Sequence, residues 1–504
     1  MVKNISNKKL TWILAIVFVA ISVFPLFTNT NLGTLLLRTW DESRYAANSY
    51  EMYESGNYLV TTFDYEPDYL SSKPPFVNWL QVVCFHLFGV NEFAVRFPSA
   101  LAVLCLGVVL ILFGGKIQKP WVGFFAALIA TTCRGIAGYH AGRGGDYDAM
   151  LTLFVTTYTL SFFLYFIEKK SKYILLFFIF LSLATLTKGI QALIPIPFIL
   201  GWLIYKKEFV RVLKSRFTYI GMGIFLLLIG GYYLGREMMD KGYLLEMYKC
   251  EIGGRFNGVI DGHKHPFDFF FKYLYSEHFK YYIWFLPFAF VFNWFIKNKT
   301  LRSLSWFSFF FAAFYLLVIS LSETKLPWYN ILALPFLSII IGIAFGQIHL
   351  WFLHRKHIIL KILPFVLMII VFSSPYKEQI KQNYKPVEFK DYLPYYNRYY
   401  VMKDIAHDKI KIDSIVYISA VNQWQYDNDQ EVLFYTYYIK THNKHASIRE
   451  FQWIKVNDYV QINEDFTFEA LKQKYEFDIV YQSMNNKIVH ITGLKAKEIE
   501  TESL

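Results

Sequence analysis

Charged side chains in or beside a membrane are costly and mark functional sites by default. Five groups of them interrupt the long apolar runs of this 504-residue chain. Asp41-Glu42-Ser43-Arg44-Tyr45 places two adjacent carboxylates at a helix start, where they could do acid–base work or merely complement the helix dipole. Ser72-Lys73-Pro74-Pro75, followed by Trp79, offers a lysine that either snorkels to the interface or serves as a point charge for a phosphate. His140, Arg143, Asp146 and Asp148 lie among glycines that permit close backbone approach to a ligand, though the four could also neutralise one another. Thr187-Lys188-Gly189 and Glu323-Thr324-Lys325-Leu326-Pro327-Trp328-Tyr329 add two more lysines. Together these groups describe a site that binds an anion and moves a proton. Segment 236–280 adds Arg236, Glu237, Arg255, Asp261, His263, His265 and Asp268. The His263-x-His265 pair has no further ligand at metal spacing, so no metal site is read there.

The elements that must position these residues are membrane spans. The chain is 55% hydrophobic and only 18% charged, against about a quarter charged in soluble proteins. Apolar runs long enough to cross ~30 Å of hydrocarbon recur from Leu10 to Phe372 and then stop. Their spacing predicts about 11 spans (up to 13) near 10–28, 94–113, 121–138, 149–167, 173–187, 190–205, 217–235, 281–296, 304–321, 329–349 and 358–373. Basic clusters at Lys116/Lys119, Lys169–Lys172, Lys206–Arg216, Lys297–Arg302 and Arg355–Lys361 fall in every second loop, which assigns those loops and the N-terminus to the cytoplasm. Segments 29–93, 139–148, 236–280 and 322–328, and everything after Ser373, then lie outside. All five charged groups fall on that side. The net charge of +12 thereby reflects topology, and no nucleic-acid partner is expected.

Within 29–93, Asp41–Ser55 reads as a helix on the membrane surface and Pro74–Leu87 as a short apolar element. The chain divides into a transmembrane domain, 1–375, and an extracytoplasmic α/β domain, 376–504. In the latter, Ser414–Ser419, Val432–Tyr438 and Phe477–Tyr481 read as strands and Phe468–Tyr475 as a helix. The four cysteines, Cys84, Cys105, Cys133 and Cys250, form no CxxC pair and imply no disulfide framework. The basic, apolar start reads as an uncleaved first span.

The motifs also carry a family resemblance. Asp41-Glu-Ser-Arg-Tyr-Ala, Tyr53-Glu-Ser-Gly-Asn-Tyr-Leu, Lys73-Pro-Pro…Trp79 and Leu87-Phe-Gly-Val-Asn-Glu-Phe-Ala-Val-Arg-Phe-Pro-Ser resemble the ArnT-like branch of the protein O-mannosyltransferase family. Asp148-Ala-Met-Leu-Thr-Leu-Phe, Leu186-Thr-Lys-Gly and Thr324-Lys-Leu-Pro-Trp-Tyr follow in the family's order. The resemblance covers residues 10–350. It implies a GT-C membrane fold and transfer of a sugar, with inversion, from an undecaprenyl-phosphate (polyprenyl-phosphate) donor at the outer face of the bacterial inner membrane. It further implies that Asp41 is the essential acid with Glu42 beside it, that Lys73 holds the donor phosphate, and that Asp148 is the second acid. Lys188 and Lys325 match as phosphate-side or structural residues.

Two departures stand out. Ser72 replaces a Glu common before the lysine, which weakens any metal site there, and Asp146 is an extra acid beside Asp148. Asp148 abuts a rigid helix start and is expected to outweigh Asp146. Arg44, Arg143 and His140 complete the expected phosphate-binding set. No cofactor is required; a divalent metal is compatible but not needed. The acceptor is a hydroxyl or amine on lipid A, a glycan or a protein. A secondary transporter would need mid-membrane charges or internal symmetry, and the sequence displays neither. A glycan polymerase or ligase would share the same site chemistry.

Overall fold

The structure, a computed structural model, describes residues 6–27, 32–38, 40–254, 258, 262–384, 393–418 and 430–495. Among the described residues, eight helices are long and apolar enough to cross a membrane: Asn7–Phe27, Glu92–Lys116, Asp148–Glu168, Lys172–Leu193, Arg216–Met239, Lys299–Leu321, Pro327–Leu353 and Ile358–Lys381. Shorter apolar helices at Phe76–Phe88, Pro120–Thr132, Ile196–Tyr205 and Phe285–Trp294 accompany them. The chain is thus a multi-span membrane protein.

Close helix approach depends on glycine where lipid supplies no hydrophobic drive between helices. A Cβ on Gly114 would lie 2.7 Å from the Gly123 backbone nitrogen, and one on Gly342 would lie 2.8 Å from that of Ala126. These contacts hold Glu92–Lys116 and Leu334–Leu353 against Pro120–Thr132. That central helix is buried at almost every position, which explains how only 13 residues serve there.

Several boundaries differ from the sequence reading. The span expected over 121–138 ends at Thr132, because Cys133 turns to extended backbone before the short Arg134–Ala137 helix. The last span, expected to stop at 373, runs to Tyr384 through Pro364 and Pro375. Between the two short spans the turn falls at Gly189, whose φ of +56° ends the preceding helix. In 29–93, Asp41–Ser55 and Phe76–Phe88 are helices joined through a hairpin of β1 (Thr62–Phe63) and β2 (Glu66–Pro67).

The C-terminal region contains a five-stranded sheet of β3 (Ser414–Ile418), β4 (His445–Arg449), β5 (Tyr459–Ile462), β6 (Tyr475–Ser483) and β7 (Asn486–Leu494). Its order is β4-β3-β5-β7-β6, with β3 parallel to β4 and β5, and β7 antiparallel to β5 and β6. The expected helix appears as Asp465–Lys474. Val432–Tyr438 corrects the sequence reading: it is the middle of the helix Gln430–Thr441, buried from Gln430 to Ile439. A run apolar on all sides has no periodicity to separate a buried helix from a buried strand. Ser419 lies outside the described residues.

That buried helix anchors the C-terminal region to the outer elements. Tyr437 stacks on Tyr50 at 4.5 Å and donates to Glu51 at 2.8 Å. Tyr435 donates to Glu92 at 2.9 Å, and Lys403 pairs with the same carboxylate at 2.7 Å. Asp41–Ser55 consequently lies sandwiched between protein layers, not on a lipid surface.

Candidate active site

Asp41 opens its helix directly after Trp40, whose φ of 67° turns the chain sharply. Its carboxylate is partly exposed and accepts a hydrogen bond from the Tyr45 hydroxyl, one helical turn on, at 3.1 Å. That same hydroxyl accepts from Lys73 Nζ at 2.8 Å. One phenol therefore links the acid to the lysine. Lys73 is buried, with its ammonium 5.2 Å from the Tyr45 ring and 5.7 Å from the Tyr147 ring. These π-faces favour a cation without neutralising it.

Residues 138–147 supply the facing wall. Gly145 is wedged against Val95, where a Cβ would approach to 2.4 Å. Its N–H donates to Glu42 and its carbonyl accepts from Gln81, at 2.9 and 3.1 Å. So pinned, the loop directs Asp146 and His140 toward Asp41. His140 Nδ1 lies 3.1 Å from Asp146 Oδ2, and its ring stacks on Trp328 at 3.4 Å. Asp41, His140 and Asp146 each present one ligand atom, all within 4.8 Å of one another. Such a triad can share a proton or hold a divalent cation. Burial pushes the Asp146 carboxyl up, but its bond to His140 and the charges of Lys188 and Lys73 outweigh this and hold it at about 2.

The remaining expected residues divide into those the fold uses and those near the site. Glu42 does not face the Asp41 cluster: it turns inward, 1% exposed, against Arg96 at 2.6 Å. It also accepts from the backbone N–H groups of Arg38 and Gly145, both at 2.9 Å. Arg44 is likewise engaged, with two 2.8 Å bonds to Asp68. Asp148 pairs with Lys188 at 2.6 Å, both buried, so the acid grouped with Asp41 is Asp146 and not Asp148. Lys325 donates to the Ser322 carbonyl at 2.5 Å, and its own N–H donates to His263. Three residues on, Trp328 is the member of that motif that touches the triad through His140.

Arg143 donates to the Pro25 carbonyl at 3.0 Å, while its Nη2 is buried without a hydrogen-bond partner. Burial, together with the charges of Arg96 and Arg38, pushes it down to about 9. An incoming anion would relieve both burdens.

In the 236–280 segment, Arg236 is fully buried against Asp240 and Thr61. His265 stacks on Phe269 at 4.1 Å. Arg255 and Asp261 lie outside the described residues.

The relation to known proteins follows from fold and motif together. Superposed on the crystal structure of ArnT from Cupriavidus metallidurans bound to undecaprenyl phosphate, the chain gives a TM-score of 0.67 at 16% identity, covering 95% of this chain and 97% of that one. The chain has the GT-C fold of ArnT. Residues 72–232 match the family model described as dolichyl-phosphate-mannose-protein mannosyltransferase, so the motif resemblance to the ArnT-like and protein O-mannosyltransferase family holds.

Among curated relatives, the undecaprenyl phosphate-alpha-4-amino-4-deoxy-L-arabinose arabinosyl transferase 2 of Proteus mirabilis is 31% identical over 223 residues, 42% of this chain and 38% of the relative. An uncharacterized protein of Aquifex aeolicus is 28% identical over 319 residues, 62% and 60% of the two chains. The matches span 37–60% of the length of the first curated relatives. Within this ArnT-type frame, the motifs scattered from residue 41 to residue 329 converge on one end of the helix bundle. Tyr45, Tyr147 and Trp328 complete the site. Tyr45 and Trp328 stand inside the quoted motifs, but as aromatics they carry no charge to flag them.

Proposed function

We propose that this protein is a membrane glycosyltransferase that moves a sugar from a polyprenyl-phosphate donor, undecaprenyl phosphate in bacteria, to an acceptor hydroxyl or amine. The observation that carries the reading is the Lys73–Tyr45–Asp41 chain beside His140 and Asp146. Glycosyl transfer from a phosphate requires a base for the acceptor and a positive field for the departing phosphate.

Asp41, partly exposed, takes the proton from the acceptor oxygen or nitrogen. The acceptor lone pair forms the new bond at the anomeric carbon as the carbon–oxygen bond to the polyprenyl phosphate breaks on the opposite face, inverting the centre. The bonding electron pair leaves on the phosphate, which Lys73 and Arg143 receive. Tyr45 holds Asp41 and Lys73 at fixed separation. Asp146 fixes the His140 ring, which Trp328 supports from its other face.

The basic clusters favour an inner-membrane protein with its site and C-terminal region on the periplasmic side. The acceptor belongs to lipid A, a glycan or a protein. The purified full-length protein, supplied with radiolabelled undecaprenyl-phosphate sugars and an envelope extract, should convert the donor to free undecaprenyl phosphate and a labelled acceptor. Donor left chemically intact while label crosses a vesicle bilayer would establish a transporter instead.

A further inference from the structure

A groove with a basic mouth lies at the end of the bundle away from the triad. The helices Ile196–Tyr205 and Lys299–Leu321 enclose an apolar groove of about 1200 Å³. Two independent chain paths place its basic end away from the triad. Lys188, paired with Asp148 near the site, begins the turn into Ile196–Tyr205, and Lys206 follows that helix at its far end. Lys299 and Arg302 open the other helix, whose far end leads through Ser322 to Trp328.

The basic side chains of Lys206, Lys299 and Arg302 line one mouth of the groove and carry no ion pair among the described residues. Lys206 instead lies over the Trp202 and Tyr205 rings at 5.1 and 4.9 Å. From Lys299 to Leu317 the lining helix advances eighteen residues, about 27 Å at 1.5 Å per residue, ending among Phe314 and Leu317. The wall is kept low at Gly201, where an added Cβ would meet nothing within 4 Å.

A basic mouth above a long apolar slot between spans matches an anionic phospholipid, with phosphate at the lysines and an acyl chain along the groove. We infer that this groove binds an anionic phospholipid, its headgroup among Lys206, Lys299 and Arg302. The sugar donor does not suit it, because its phosphate belongs at Lys73, across the bundle. Excluding the donor rests on the proposed function; the basic mouth and the apolar slot do not.

Native mass spectrometry of the full-length protein, with dioleoylphosphatidylglycerol and dioleoylphosphatidylcholine as probes, tests it. Wild type should retain phosphatidylglycerol at least tenfold better, and inorganic phosphate should not displace it. The triple variant Lys206→Gln/Lys299→Gln/Arg302→Gln should bring the two lipids level. Gly201→Trp, which fills the groove without touching a charge, should lower retention of both, and Gly201→Leu should do so to a smaller degree. Equal retention of both lipids by wild type, or unchanged phosphatidylglycerol retention in the triple and both Gly201 variants, would overturn the assignment. So would displacement by phosphate, or loss of undecaprenyl-phosphate binding in Gly201→Trp, which would make the groove the donor's.

Discussion

Asp41 and Glu42 are neighbours in sequence but sit in opposite surroundings, one partly exposed and one buried against Arg96, so their amides should behave oppositely. The Glu42 carboxylate receives two bonds from Arg96, at 2.6 and 2.9 Å, and one each from the Arg38 and Gly145 backbone N–H groups. Burial pushes its carboxyl up, but Arg96 and these bonds outweigh burial and hold it below the usual glutamate range. Glu42→Gln leaves the Arg96 guanidinium buried without its counter-charge, which costs ~3–5 kcal/mol in comparable pairs. Arg96 keeps bonds to the Leu35 and Leu36 carbonyls at 2.6 and 2.7 Å, so the lower end, about 3 kcal/mol, is expected.

Asp41→Asn disturbs one hydrogen bond on a partly exposed side chain and should cost about 1 kcal/mol or less. The assay is paired: unfolding midpoint in detergent by tryptophan fluorescence, and transfer by the protein that remains folded. Glu42→Gln should lower the midpoint while the folded fraction still turns over, and Asp41→Asn should do the reverse. Adding Arg96→Gln to Glu42→Gln should cost much less than the two single losses summed. A Glu42→Gln protein that melts like wild type and is inactive would refute this division.

Other consequences follow from the same contacts. Asp146→Asn should reduce single-turnover transfer ~100-fold, because it releases the His140 ring beside Asp41. Asp148→Asn should instead destabilise by ~3 kcal/mol or more, because it strands Lys188; the comparison of rate and melting separates the two. Asp146 has a folded-state value of about 2, below its ordinary ~3.9, so its stabilisation is complete above ~4 and lost as pH falls toward 2. The melting deficit of Asp146→Asn should therefore persist from pH 8 down to 5, and a deficit that shrinks across that window would contradict the assignment. Trp328→Ala should lower turnover about tenfold through a looser His140, with Trp328→Phe recovering most of it. Deleting 393–504 strips the cover from Tyr50 and Glu51; the remaining spans should insert but melt lower, as read by detergent size-exclusion chromatography and fluorescence.

The fold was largely legible because its signals are one-dimensional. Apolar length and alternating basic loops define spans without three-dimensional information, and the charged motifs fall between those spans in order. What escaped depends on direction. Asp41 and Glu42 differ by one helix position, about 100° of rotation, and only the location of Arg96 reveals which of them faces inward. Asp146 and Asp148 are two residues apart; the pinned Gly145 sends one to His140, while the other meets Lys188 forty positions on. The partners of Arg44 and Lys325, Asp68 and the Ser322 carbonyl, carry no sequence signature. The C-terminal helix misread as a strand is buried on all sides, so the polar face that would have given its period is missing.

The most direct test of the central claim is single-turnover transfer by Asp41→Asn at saturating radiolabelled undecaprenyl-phosphate sugar, with donor binding measured on the same preparation. The account predicts donor bound as in wild type through Lys73 and transfer reduced by ~10²–10⁴-fold, the usual contribution of a general base. Transfer at the wild-type rate, or a loss explained entirely by failure to bind donor, would contradict it.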